Sequence, residues 1–405
     1  MNTRPTILFV ADAVTLAHLA RLAALAQGLD LERFNVILAC DPRHHAFLER
    51  LPFPTRPLKT VSSEQFLQAA AHGRPLYDTR TLREYVRDDM ALLESVQPAA
   101  VVGDHRLSLS VSARVAGVPY LGIINAYWSP YAELALPLPE LPMNRWLGTT
   151  LAQTLFRLAW PIASAYHALP LNRVRRAYRL PSLGWDWRRA YTDADRTLYA
   201  DAMELVPTHE LPATHSYLGP ILWSPPVDLP SWWDTLPTDR PLVYVTMGSS
   251  GRLEVLEKVL RSLADLPITV VAATAAKWHG DTPPANAHLL TYAPGEKLAA
   301  RADLVICNGG SLTVYQALAA GKPILGIASN MDQHLSMHYV EKAGVGTLLR
   351  GEQLSSGVVS AAVQRMLADD NARQRARGLA RSIAGYNPAQ RLSQILDEVT
   401  KRDGY

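Results

Sequence analysis

The chain is predicted to fold as two consecutive α/β domains, each built on a parallel sheet with helices between its strands. Three observations carry this prediction. Short apolar runs recur in both halves, each too short for a helix and each followed by a loop and a helical pattern. Between the two series lies the segment 219–240, GPILWSPPVDLPSWWDTLPTDR, where Pro220, Pro225, Pro226, Pro230 and Pro237 keep the chain extended, as suits a linker. A length of 405 residues with 48% hydrophobic content is enough to fill two cores.

In order, residues 6–11 read as a buried strand, a loop passes Thr15, an alanine- and leucine-rich helix runs towards Gly28, and 35–40 form a second strand. A third strand at 100–103 precedes a helix at 107–116 and a strand at 120–124, so the opening of the chain is doubly wound. Residues 131–217 are different. They are rich in Leu, Ala, Arg, Trp and Tyr at helical spacing, and Pro139, Pro142, Pro161, Pro170 and Pro181 interrupt them, so they read as broken helices that cap a pocket. Beyond the linker, strands at 242–247, 268–272, 304–307 and 324–328 alternate with helices.

The net charge of +3, from 40 basic and 37 acidic residues, excludes a nucleic-acid binder that works through a dominant basic field. Cys40 and Cys307 are the only cysteines and lie far apart beside strand-like runs, which argues against a disulfide framework and for a reducing, cytoplasmic setting. The early apolar run at 7–10 is too short for a signal-peptide core, and no stretch of about 18 apolar residues occurs. The expectation is a protein without a membrane span, in solution or peripheral to a membrane, as a monomer or weak homodimer.

The most informative segment is 303–333, DLVICNGGSLTVYQALAAGKPILGIASNMDQ. A strand ends at Cys307, Asn308-Gly309-Gly310 forms the loop, a helix starts at Ser311 and stops at Gly321, and a second strand follows. Glycines at a helix entrance let a ligand approach the backbone, and the free amides there suit an anion such as phosphate; plain turn chemistry is the alternative. Gly248-Ser249-Ser250-Gly251 follows another strand and makes a second loop of this kind.

The spacing of Asn308, Gly309, Gly310, Ser311, Thr313, Gln316, the turn Ala320-Gly321-Lys322-Pro323 and the pair Asp332-Gln333 resembles the donor signature of family 1 glycosyltransferases. Two departures stand out: Asn308 where that family usually has His, and Gln316 where it usually has Glu. The resemblance implies a GT-B fold, two Rossmann-like domains facing a central cleft. It divides the chain into an acceptor domain at 1–218, the linker at 219–240, a donor domain at 241–385, and a C-terminal helix at 386–405 that crosses back to the first domain.

By the same resemblance Ser249 or Ser250, Asn308 and Thr313 would contact the diphosphate, Tyr292 would stack on the base, Gln316 would face the ribose, and Asp332 and Gln333 would hold sugar hydroxyls. For Tyr292 core packing is the alternative, and for the last pair it is helix capping after Asn330. Gln316 can accept and donate but brings no charge. His18, at the junction of the first loop and helix, is the expected general base, kept neutral by its place near a helix N-terminus. Asp104, after the strand at 100–103, is its expected partner; Asp12 is a second candidate, and His105 an adjacent one expected to turn away.

The implied reaction is an inverting, metal-independent transfer of a hexose from a UDP or TDP sugar to a hydroxyl of a hydrophobic small molecule, without a cofactor. Tyr127, Trp128, Tyr131 and Trp146 would line the acceptor pocket. Rival readings are a glycolipid-forming transferase at a membrane and a nucleotide-sugar epimerase of the same fold. Asp193 and Asp195 mimic a metal-binding pair but follow an aromatic helix rather than a strand. His334 and His338 lack a third ligand and read as a solvated helix face. Arg173, Arg175, Arg176, Arg179, Arg188 and Arg189, with Trp185 and Trp187, form a basic-aromatic region suited to anionic lipid, an acceptor cleft or a salt-bridged surface.

Overall fold

The structure, a computed structural model, describes residues 4–43, 51–141, 144–248, 251–278 and 282–400. Ser249 and Ser250 lie outside the described residues. The chain divides into two compact units: the first takes the residues up to Leu134, Arg145–Ile221 and the chain from Tyr386 onward, and the second takes Ala135–Asn144 and Leu222–Gly385. The segment Ala135–Asn144 thus leaves the first unit although it lies well before residue 218. It is tied within the second unit by Arg350, which donates to the Leu138 carbonyl at 2.7 Å, and by Glu140, which accepts from Glu352 N at 2.8 Å.

The first unit contains β1 (Thr6–Ala11), α1 (Leu16–Gln27), β2 (Asn35–Cys40), β3 (Thr55–Pro57), α2 (Ser63–Ala71), α3 (Thr79–Val96), β4 (Ala100–Asp104), α4 (Leu109–Ala116), β5 (Tyr120–Ile124), α5 (Asn144–Ala177), α6 (Arg188–Tyr191), β6 (Arg196–Tyr199) and β7 (His215–Tyr217). All its strand pairs are parallel, in the order β3-β2-β1-β4-β5-β6-β7. A parallel sheet is covered on both faces, which is why β1, β4 and β5 are apolar runs rather than alternating ones. Phe9, Leu38, Val102, Leu121 and Ile123 form one core with Leu19, Leu22 and Leu25 of α1.

β6 and β7 lie in the stretch read from sequence as broken helices. The helical part of that stretch is α5, interrupted by non-helical Gly148 (φ 71°, ψ 162°) and carrying Pro161 and Pro170 inside.

The second unit contains β8 (Leu242–Thr246), α7 (Leu253–Leu263), β9 (Thr269–Ala273), β10 (Ala287–Leu290), α8 (Gly295–Arg301), β11 (Leu304–Cys307), α9 (Ser311–Ala319), β12 (Ile324–Ala328), α10 (Met331–Lys342), β13 (Gly346–Arg350), α11 (Ser356–Ala368) and α12 (Asp370–Ala384). The sheet is again parallel, in the order β10-β9-β8-β11-β12-β13. The last helix, α13 (Pro388–Thr400), belongs to the first unit: Leu392 and Leu396 are fully buried in its core, and Arg33 pairs with Asp397 at 2.6 Å.

In each sheet the strand order reverses at one point, between β1 and β4 and between β8 and β11. Sheets of this kind bind ligands beyond the carboxyl ends of the strands at such a switch point. The residues singled out from sequence stand at those ends: Asp104 closes β4 and His18 follows β1, while Gly248 and Asn308 follow β8 and β11.

Candidate active site

His18 sits in the first turn of α1, and its Nδ1 lies 2.9 Å from Asp104 Oδ1. Asp104 is fully buried and receives both prongs of Arg21, Nε to Oδ2 and Nη2 to Oδ1, each at 2.7 Å. Burial alone would raise the Asp104 carboxyl, but the Arg21 charge and the contact with His18 hold it down to about 2. An ionised carboxylate can only accept, so the proton of neutral His18 is on Nδ1 and the basic lone pair is on Nε2. The His18 side chain is 18% exposed, against 0% for Asp104.

Arg21 was not among the residues picked from sequence. It is buried and continues the network, its Nη1 donating to Asn125 Oδ1 at 2.7 Å. Asn125 Nδ2 donates in turn to buried Asp201 at 3.1 and 3.2 Å, and Asp201 also accepts from Ala126 N. The guanidinium thus stands between two buried carboxylates, which compensates its own desolvation.

Asp12 is held elsewhere. Tyr77 Oη donates to its Oδ2 at 2.6 Å, and burial raises it to about 6 despite the Arg106 charge. His105, expected to turn away, instead stacks on His18 with ring centroids 4.7 Å apart. Its left-handed backbone (φ 59°) redirects the side chain, and burial pushes its imidazole down to about 3.

Tyr77 and Tyr191 pack beside His105, at 6.1 and 5.5 Å between centroids, and both line a small pocket of about 20 Å³ with Leu76, Leu107, His167 and Trp187. Of the four aromatics expected to line the acceptor pocket, Trp128 touches its wall, 5.2 Å from Trp187 and 5.5 Å from Tyr191. Tyr127 is buried beside Trp128, Tyr131 packs on His215, and Trp146 projects outward, 88% exposed.

In the second unit the Asn308 loop leads into α9 with Gly309 at φ 80° and Gly310 at the N-cap, where no side chain caps the helix. A Cβ on Gly309 would lie 2.7 Å from Met337 Cγ, so the glycine is required by space as well as by φ. Asn308 Oδ1 accepts from Gly310 N at 3.1 Å, closing the turn. Ser311 and Thr313 lie half-exposed in the first turn of α9.

Gln316 is buried, and its amide donates to the Trp223 carbonyl at 2.6 Å; a carboxylate there would face that carbonyl with no proton to offer. Gln333 Oε1 accepts from Ser329 N at 3.0 Å, and Gln333 with Asn330 completes a capping box at the start of α10, where Asp332 is the acidic residue of the first turn. Tyr292 is 38% exposed and therefore not a core residue.

Two discounted signals have structural explanations. Asp193 is clamped by Arg114 at 2.9 Å and by Arg175, and Asp195 accepts from Tyr120 N. His334 is 1% exposed and neither ring nitrogen has a partner, so the expected solvated face of α10 is in fact a buried one. The sequence reading failed there because α10 is covered on most sides and carries no clean amphipathic stripe.

The two reversing parallel sheets, with a histidine–carboxylate pair at one switch point and a glycine-rich helix entrance at the other, define a glycosyltransferase of GT-B fold. Residues 257–399 match the family described as erythromycin biosynthesis protein CIII-like, C-terminal domain. The chain is 54% identical over 380 residues to a PGL/p-HBAD biosynthesis glycosyltransferase of Mycobacterium tuberculosis (strain ATCC 25177 / H37Ra), covering 94% of this chain and 89% of that protein. It is 53% identical over 377 residues to a PGL/p-HBAD biosynthesis rhamnosyltransferase of Mycobacterium bovis (strain BCG / Pasteur 1173P2), covering 93% and 84%. A third relative, from the same M. bovis strain and 54% identical over 64% of this chain and 71% of its own length, is named as inactive. Among solved structures, spinosyn forosaminyltransferase SpnP shares the fold at TM-score 0.72 with 19% identity, covering 98% of this chain and 100% of that one. The chain belongs to the family of the PGL/p-HBAD biosynthesis glycosyltransferases.

Proposed function

We propose that this glycosyltransferase moves a hexose from a UDP or TDP sugar to a hydroxyl of a hydrophobic small molecule, with inversion and without a metal. The observation that carries the reading is the His18–Asp104 pair at 2.9 Å, backed by the Arg21 fork. His18 Nε2 takes the acceptor O–H proton while the oxygen forms the new bond to the anomeric carbon. The bond from that carbon to the diphosphate breaks, and its electron pair leaves with the nucleoside diphosphate. Asp104 keeps the tautomer and stabilises the imidazolium. The amides at the start of α9, Asn308, Thr313, and Ser249 or Ser250 meet the leaving charge. Tyr292 stacks on the base and Asp332 holds a sugar hydroxyl, while Gln316 and Gln333, whose polar atoms serve Trp223 and the α10 cap, contact donor only through their remaining groups.

The hydrophobic acceptor enters beside Tyr77, Trp187 and Tyr191, which line the pocket next to His105. Rhamnose, the sugar implied by one relative's name, is the first donor sugar to try.

His18→Ala should lower kcat at least ~100-fold with donor affinity near wild type, because the donor loops belong to the other unit. Asp104→Asn should give a comparable loss through the wrong tautomer. Steady-state transfer assays combined with donor titration check both; an active His18→Ala would overturn the assignment of the base. Transfer should also persist after exhaustive EDTA treatment, since protein groups neutralise the leaving diphosphate. An absolute requirement for added Mg²⁺ or Mn²⁺ would refute that part.

A further inference from the structure

α5 is packed on one side. Ala152, Ala168, Leu171 and Val174 are buried, whereas Leu151, Leu155, Leu158, Ile162 and Tyr166 are exposed, Leu158 at 72% and Ile162 at 76%. Steps of four, three, four and four residues stack these five on one helix face. Trp146 and Leu147, just before the Gly148 break, add exposed apolar surface at the N-terminal end. Arg173 and Arg176 continue the same face at the C-terminal end, and both are exposed, as is Arg157.

The charge along this segment has one sign. Between Glu140 and Asp186 the sequence contains six arginines and no acidic residue. Arg175 is the inward member, spent on Asp193. A water-facing helix does not gain from a long apolar stripe, and exposed apolar patches of this kind mark interaction surfaces. Among the described residues no helix is apolar enough to cross a membrane. An apolar stripe with flanking arginines and no acids is the pattern of a helix that lies in the plane of an anionic lipid surface.

We propose that this face of α5 docks the enzyme on an anionic membrane, with Leu151, Leu155, Leu158 and Ile162 at the acyl boundary and Arg173 and Arg176 among the lipid phosphates. The docking stands apart from the acceptor reading above, because binding to vesicles is measured without turnover.

The test is co-sedimentation of the full chain with phosphatidylcholine vesicles with and without phosphatidylglycerol. The wild type should sediment with the anionic vesicles, less with neutral ones, and less again as salt is raised. Leu158→Glu/Ile162→Glu should weaken anionic-vesicle binding at least ~10-fold, and Arg173→Glu/Arg176→Glu should weaken it by a similar factor. Both double variants should keep the wild-type melting temperature and turnover on a water-soluble acceptor, because these side chains are exposed and outside the His18 network. Wild-type protein that fails to sediment with anionic vesicles would overturn the proposal, as would charge variants that sediment equally well. A dimer on size exclusion that Leu158→Glu/Ile162→Glu separates would also overturn it and make a second copy of this chain the occupant.

Discussion

Asn308 combines two tasks in one amide. Its Oδ1 closes the turn by accepting from Gly310 N, and the other end of the group lies on the side of Gly248, where a Cβ would stand 3.4 Å from Nδ2. The imidazole usual in the family would donate from a similar place, and the amide adds the bond that fixes the glycines. Asn308→Asp separates the tasks, because it keeps the accepting oxygen and replaces the donor with a negative charge. It should leave the second unit folded and weaken donor binding by about 10- to 150-fold, corresponding to ~1.5–3 kcal/mol for a lost bond to a charged group. Isothermal titration with UDP and TDP checks this; unchanged affinity would reduce Asn308 to a turn residue. His18 and Asp104 were picked from sequence by their place at the carboxyl edge of the first sheet and by the family resemblance, and the structure brings the two side chains together. Arg21 was not legible there, since an arginine in an alanine- and leucine-rich helix reads as a solvated position until the fold turns it onto a carboxylate 83 residues away.

At the scale of elements, the strands that lie deep in each sheet were readable because burial on both faces leaves uninterrupted apolar runs, as in β1, β4, β11 and β12. Edge and peripheral strands lack that signature. β7 (HSY) and β13 (GTLLR) are only half-buried, and β6 follows the aromatic and arginine-rich stretch that led to a helical reading. The departure at position 316 has a similar origin. Gln316 lies on a buried face of α9 and satisfies the Trp223 carbonyl, so its identity is set by a chain segment 93 residues away that no local pattern reveals. α9 and α10 also differ at their starts: a complete capping box begins α10, whereas α9 begins at Gly310 with no side-chain cap.

At the scale of the whole molecule, acid stability links the buried imidazoles to folding. Burial, with the nearby Arg350 charge, lowers His334 to about 4, and burial, with the His18 charge, lowers His105 to about 3. A depressed folded value gives stability that is present above the unfolded value of 6.5 and is lost as the pH falls towards the folded one, because the unfolded chain takes up protons that the folded state refuses. Asp12 works in the opposite direction: raised to about 6, it binds a proton in the folded state first and offsets part of the His105 loss in the same unit. In the second unit Glu140, also raised by burial, opposes His334 in the same sense. The His334 contribution can be isolated, because neither of its ring nitrogens has a partner and His334→Leu removes the titration without breaking a bond. Between pH 8 and pH 5 the variant should gain about 2 kcal/mol relative to wild type, from ~1.4 kcal/mol per pH unit below 6.5. Each unit carries one buried cysteine, Cys40 in the first and Cys307 in the second. Labelling with dithiodipyridine, which reacts in acid, across a denaturant series therefore reads the two units separately. The His334→Leu gain should appear at Cys307 and not at Cys40; an equal shift at both thiols, or a Cys307 midpoint whose pH dependence matches wild type, would show that His334 does not set the acid stability of the second unit.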